Sequence, residues 1–185
     1  MRIIDLCQKG ADQGMLEKCA EIYCQIWREP PWNEDFWTVP KVMDDMVIEL
    51  DKSFSNGFAA MNEVDEVVGF VWGYAVSKQE LRSICGSEEL DYLFVDEKDQ
   101  LYYIDELGVS FCHRIKGIGT ALSWRLINAA REDNFSWFVL RTDQLAIAAR
   151  KLYSKMGFQE LSIRDAKYSG RSYWAKEFSS SSSLA

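Results

Sequence analysis

Residues 101–132 constrain this chain more than any other stretch. An apolar run, Leu101–Val109, crosses a short polar stretch into Arg114-x-x-Gly117-x-Gly119. A helical pattern follows, with Ile118, Ala121, Leu122, Leu126 and Ala129 on one face. A strand that leaves through glycines into a helix implies a strand–helix–strand unit, with the next apolar run, Ser136–Arg141, lying parallel to the first. The loop also has a chemistry of its own. The first N–H groups of a helix have no partners within it, and the helix dipole adds positive charge behind them. Glycine at 117 and 119 lets an anion approach without a Cβ in the way. Arg114 and Lys116 add cationic side chains at the same mouth, which suits a phosphate or pyrophosphate.

The remaining elements alternate. Arg2–Cys7 reads as a first strand, and Met15, Leu16, Cys19, Ile22, Tyr23 and Ile26 as one face of a helix ending before Pro30-Pro31. Trp27–Trp37 cannot be helical through its prolines and reads as a loop dense in aromatics and carboxylates. Val42, Met43, Met46, Val47 and Leu50 predict a second helix, with Asp44, Asp45 and Glu49 mostly off its apolar face. Gly57–Met61 and Val67–Val76 predict an antiparallel hairpin. The insert 77–100 holds a helix around Gln79–Ile84 and an acidic stretch over 88–99. Leu145–Met156 predicts a helix with Leu145, Ala149, Leu152 and Met156 inward, closed by a left-handed cap at Gly157. Strands from Phe158 and over Arg171–Phe178 finish the order β-α-α-β-β-(insert)-β-α-β-α-β-β. That order is an α/β (α+β) chain with a mixed sheet and helices on both faces. We expect one domain over 1–178 and a disordered Ser-rich tail over 179–185.

Composition narrows the function classes. The chain has 185 residues, 48% hydrophobic and 14% aromatic, which predicts a packed core. A net charge of −8 argues against a nucleic-acid footprint and is compatible with a cationic partner. Five cysteines without a C-x-x-C pair, and a single histidine, argue against a disulfide framework or a metal site and fit a reducing, cytoplasmic setting. No apolar stretch approaches the roughly 20 residues of a membrane span, so no membrane partner is expected.

Three motifs in order resemble the GNAT superfamily of acetyl-CoA-dependent N-acetyltransferases. Ile104-Asp-Glu-Leu-Gly-Val109 feeds Arg114-x-x-Gly117-x-Gly119, similar to the family's (Gln/Arg)-x-x-Gly-x-(Gly/Ala) signature. A strand, Phe138-Val-Leu-Arg-Thr142, follows. Ala149-Arg-Lys-Leu-Tyr-Ser-Lys-Met-Gly-Phe158 is similar to the family's Ala-x-x-Leu-Tyr-x-x-x-Gly-Phe ending. The chain departs from the pattern at Ala146, where the family often carries an Asn near the cofactor arm. The resemblance implies the GNAT fold, a mostly antiparallel sheet whose one parallel pair splays into a V, with acetyl-CoA as co-substrate. The backbone of Leu107, Gly108 and Val109 would pair with the pantetheine arm. The N–H groups of Arg114, Ile115, Lys116, Gly117, Ile118, Gly119 and Thr120 would hold the pyrophosphate. Tyr153 would protonate the departing thiolate, and the acceptor amine would attack directly in a ternary complex.

Asp105 and Glu106 are the candidate bases. Strand alternation sends neighbours to opposite faces, so one of them faces the acceptor. Asp105 is favoured, because Ile104-Asp-x-Leu and Arg141-Thr-Asp143 are similar to the aminoglycoside 6′-N-acetyltransferases. That likeness implies a small cationic acceptor, aminoglycoside- or polyamine-like, with Trp32, Glu34, Asp35, Trp37 and Asp143, together with Glu29, shaping its pocket. Acetylation of a protein N-terminus or lysine is the alternative acceptor chemistry. A non-catalytic acyl-CoA sensor is the alternative outside enzymology. A homodimer paired through a sheet edge at 171–178 is left open.

Overall fold

The structure, a computed structural model, describes residues 1–7, 13–96 and 99–178. A seven-stranded sheet has the order β1 (Arg2–Asp5), β2 (Asn56–Met61), β3 (Val67–Ser77), β4 (Gln100–Val109), β5 (Trp137–Asp143), β7 (Arg171–Glu177), β6 (Gln159–Arg164). Neighbours are antiparallel except β4 and β5, the parallel pair expected of the unit at 101–141. Helices α1 (Gln13–Arg28), α2 (Val39–Leu50) and α3 (Lys78–Cys85) pack on one face, and α4 (Ile118–Glu132) and α5 (Ile147–Lys155) on the other. Covered on both sides, β3 is buried from Val67 to Val76, which is why it reads as a nearly unbroken apolar run.

Several expectations need correction. The loop begins at Glu29, not Trp27. Trp27 belongs to α1 and stacks on Tyr23 at 4.0 Å, and the helix stops at Arg28 because a residue before proline is excluded from the α region. In α2 the face that meets the sheet is Val42, Met46 and Glu49, while Val47 is 57% exposed. The helix is turned this way by Trp72, a buried indole whose Nε1 donates to Glu49 Oε2 at 2.7 Å. Leu145 lies ahead of α5 and is 74% exposed. β7 lies between β5 and β6, so 171–177 is no sheet edge, and dimerisation by edge pairing there is ruled out. The expected tail disorder concerns residues outside those described.

Other local signals hold. Ser77 and Glu80 form a reciprocal capping box at the start of α3, and Gly86 closes it at φ 73°. Arg82 Nε donates to Asp91 Oδ1 at 2.9 Å and its guanidinium pairs with Glu88 at 3.1 Å, which ties the acidic insert back onto α3. Gly157, at φ 85°, caps α5 as its place before Phe158 predicts.

The feature that most affects the site is a bulge. Trp72 faces Glu106 and Gly73 faces Ile104, so Asp105 is an extra residue in β4. A Cβ on Gly73 would lie 2.4 Å from the Tyr103 carbonyl oxygen, a closeness only glycine allows. The bulge resets the alternation of β4. Tyr102 and Ile104 join the core beneath α4 and α5, as do Leu107 and Val109 beyond the bulge. Asp105 and Glu106 both turn to the α1–α2 side.

Candidate active site

Pairing between β4 and β5 covers only Tyr102–Phe138, Tyr103–Val139 and Ile104–Leu140. Past that point β4 bonds to β3 alone, while β5 continues with β7 to Asp143. The two strands part in a V. Leu107, Gly108 and Val109 lie on its β4 wall, where backbone facing β5 is open to an added strand-like ligand.

Where the V opens, three carboxyl groups meet. Tyr74 donates its hydroxyl to Asp105 Oδ2 at 2.7 Å, and Tyr23 donates to Glu106 Oε1 at 3.2 Å. Glu49, held by Trp72, lies beside Asp105. Burial first, then the charge on Asp105, pushes Glu49 up to about 8. The same causes hold Glu106 well above the usual carboxylate range, Glu49 adding to them. The expectation that alternation separates Asp105 from Glu106 therefore fails because of the bulge. Glu49, Tyr23 and Tyr74 were missed altogether. Gly73 inside an apolar strand was the available hint, since such a glycine often marks a bulge or a close backbone approach.

The loop from β4 to α4 has the expected form. Ile115 and Gly117 have φ of 64° and 80°, left-handed conformations that turn successive N–H groups toward one concavity. Ala121 N–H bonds to Gly117 O and Arg114 N–H to Phe111 O, so Arg114 drops out of the expected N–H row. The N–H groups of Ile115, Lys116, Gly117, Ile118, Gly119 and Thr120 have no backbone acceptor among the described residues. A Cβ on Gly119 would make only ordinary contact, 3.5 Å from Leu152 Cδ2, and one on Gly117 would meet nothing within 4 Å. The space in front of this loop is therefore not needed by the protein's own packing, and a diphosphate fits it. The loop's cations are more constrained than expected. Arg114 pairs with Glu29 at 2.7 Å and donates to Val109 O, fastening the loop to the end of α1, and Lys116 Nζ donates to Cys112 O at 3.1 Å. Glu29 is thus committed here and not to an acceptor pocket.

Tyr153 lies on α5, buried in the core beneath α4 and α5 with its ring against Phe158 and Trp174. Burial raises its hydroxyl above the ordinary phenol range, and the charge of Glu106 raises it further. Tyr153 and Glu106 sense each other although they come from opposite sides of the sheet.

On the α1–α2 side, a cleft of about 340 Å³ is lined by Trp32, Glu34, Asp143, Lys167, Tyr168 and Arg171, among others. Three expected acceptor residues, Trp32, Glu34 and Asp143, therefore meet there. Trp37 supports the cleft from behind, edge-on to Tyr23 and donating from Nε1 to Glu34 Oε2 at 2.7 Å. Asp35 is exposed and does not line it. Arg171, missed in the sequence, pairs with Glu34 at 2.7 Å across 137 residues of chain.

Comparison with known proteins places this geometry in a family. A family model for the GNAT acetyltransferases matches residues 16–158. N-acetyltransferase 8B of Mus musculus is 31% identical over 130 residues, covering 70% of this chain and 50% of the mouse protein. The chain thus spans about half the length of the curated relatives it matches. The structure of Arabidopsis thaliana NAA60 in complex with a bisubstrate analogue superposes with a TM-score of 0.65 at 18% identity, covering 96% of this chain and 100% of that one. An aminoglycoside 6′-acetyltransferase type Ii superposes with a TM-score of 0.65 at 16% identity, covering 96% and 97%. At such identities the two structures speak for the fold alone. Fold, motif order and family match agree: the chain belongs to the GNAT acetyltransferase family.

Proposed function

We propose that this protein is an acetyl-CoA-dependent N-acetyltransferase acting on the primary amine of a small acceptor. The observation that supports the reading is the V past Ile104–Leu140, with Glu106 on its β4 wall and the N–H groups of 115–120, without backbone acceptors among the described residues, in the loop that follows; Tyr153 lies within electrostatic reach of Glu106. Leu107, Gly108 and Val109 would hold the pantetheine arm, and residues 115–120 the diphosphate. Bound there, acetyl-CoA supplies an activated thioester.

The chain's own groups handle protons. An amine arrives protonated at neutral pH and must lose a proton to become a nucleophile. Asp105 accepts from Tyr74 and lies beside Glu49, whereas among the described residues Glu106 has a single long bond, from Tyr23. Burial and neighbouring carboxyls raise its affinity for protons, so Glu106 replaces Asp105 as the favoured base. Tyr153, kept protonated by burial and by Glu106, is the donor available to a leaving thiolate. Asp105 and Glu106 at the opening of the V offer carboxyl oxygens that an incoming amine can meet.

The test is thiol release from acetyl-CoA with aminoglycosides, polyamines, amino acids and peptides. Tyr153→Phe should lower kcat at least tenfold while leaving acetyl-CoA binding, read by calorimetry, within twofold. Tight acetyl-CoA binding without turnover on any amine would replace this reading with that of a sensor.

A further inference from the structure

The cleft beside the V does not have the polarity of a cation pocket. Glu34 has no oxygen to spare: Oε1 accepts from Arg171 Nη2 at 2.7 Å, and Oε2 from Trp37 Nε1 at 2.7 Å. Asp143 Oδ1 is taken by the Leu145 N–H at 2.8 Å, leaving one oxygen. The donors are freer. Arg171 carries five N–H groups and makes one side-chain hydrogen bond among the described residues. Its guanidinium is held near Tyr168 at 4.4 Å and Trp32 at 5.5 Å, and its side chain is 16% exposed. The N–H groups of Ser169 and Gly170, in the same turn, have no backbone acceptor among the described residues. Lys167 adds a second positive charge on the rim. A preordered, aromatic-backed arginine with open donors is a receiver for a carboxylate.

Asp143 is the register partner of Arg171 and lies three residues beyond Leu140, the partner of Ile104. At about 3.3 Å per residue, the cleft sits about 10 Å from the opening of the V. The groove is therefore two-ended, with carboxyl oxygens at Asp105, Glu106 and Glu49 and hydrogen-bond donors at Arg171. Resting on the N-acetyltransferase reading, we propose that the acceptor is a zwitterion, a short peptide with a free C-terminus, whose carboxylate is received by Arg171 while its amine is presented to Glu106. A polyamine would find the Glu34 carboxylate already taken by Arg171 and Trp37, and Lys167 on the rim of the same cleft.

The experiment compares trialanine with its C-terminal amide, alongside spermidine and an aminoglycoside, as acceptors in the thiol-release assay. Trialanine should exceed its amide by about 10- to 100-fold in kcat/KM, the weight of a charge-assisted hydrogen bond. In Arg171→Gln that ratio should fall to near one, and Arg171→Lys should restore part of it. Because the ratio is taken within each variant, loss of folded protein does not affect it. A wild-type ratio near one, a preference for spermidine, or an acid preference that survives Arg171→Gln would overturn the inference and leave the N-acetyltransferase reading standing. Acetyl-CoA binding with no thiol release from any amine would instead defeat that reading, and this inference with it.

Discussion

Glu49→Gln should make this protein more stable in mildly alkaline solution and leave it nearly unchanged in acid. The side chain is partly buried, accepts from Trp72 Nε1 and lies beside Asp105. Its carboxyl is raised from 4.5 to about 8, so the folded state holds a proton that the unfolded chain releases near pH 4.5. For a raised group the stabilising contribution is complete below the unfolded value and is lost as pH rises through the folded one. Wild-type stability should therefore decline between about pH 4.5 and 8. The full shift corresponds to roughly 5 kcal/mol. The nearness of other carboxyls and partial solvent access reduce what a single substitution recovers to about 1–3 kcal/mol. Glutamine keeps the shape, its oxygen can still accept from Trp72, and its amide can donate to Asp105 without titrating. Urea melts of both proteins from pH 5 to 8.5 measure the gap. It should be near zero at pH 5 and reach 1–3 kcal/mol at pH 8.5. A gap independent of pH, or one that favours wild type at pH 8.5, would refute the argument from a raised Glu49 carboxyl.

Four other substitutions probe the loop after β4 and the buried Asp165 cluster. Gly119→Ala should leave the melting temperature of the free protein within about 2 °C, yet weaken acetyl-CoA binding in calorimetry at least tenfold. Gly117→Ala should lose both affinity and about 1 kcal/mol of stability, because its φ of 80° disfavours a Cβ. Asp165, fully buried, accepts from Arg141 Nη1 at 2.8 Å, Tyr173 Oη at 2.6 Å and two N–H groups. Asp165→Ala strands the Arg141 charge and should cost about 3–5 kcal/mol in a urea melt at pH 7. The bonds from Tyr173 and Arg141 depress the Asp165 carboxyl below 3.8, so its contribution is complete above that value and lost only as pH falls through the lowered one. Ile115→Asn should stabilise the free protein by about 1 kcal/mol in the same melt, since a fully exposed β-branched side chain at φ 64° is strained where Asn is tolerated.

Much of the architecture was legible because it depends on local rules. The 3.6-residue spacing in 13–28 and 118–132, the left-handed cap at Gly157 and the strand–glycine–helix passage through 114–119 each involve neighbours in sequence. They were read at their places, with ends off by a residue or two where Glu29 precedes Pro30 or where Leu145 stops short of α5. The expected row of N–H groups over 114–120 follows from the same local geometry, apart from the one at Arg114.

The acid–base centre was not legible in that way. One extra residue in β4 turns Asp105 and Glu106 to the same side, and only the pairing of β4 with β3 reveals it. Once they share a side, the indole of Trp72 draws Glu49 into contact from a helix more than fifty residues away. Glu34 and Arg171, 137 residues apart, likewise become partners only when the loop after α1 lies against the start of β7. The order of strands and helices was thus the sequence's own, written in periodicities a few residues long. Which charges face one another, and so what the cleft prefers to bind, came from strand register and helix rotation, settled by packing across the whole molecule.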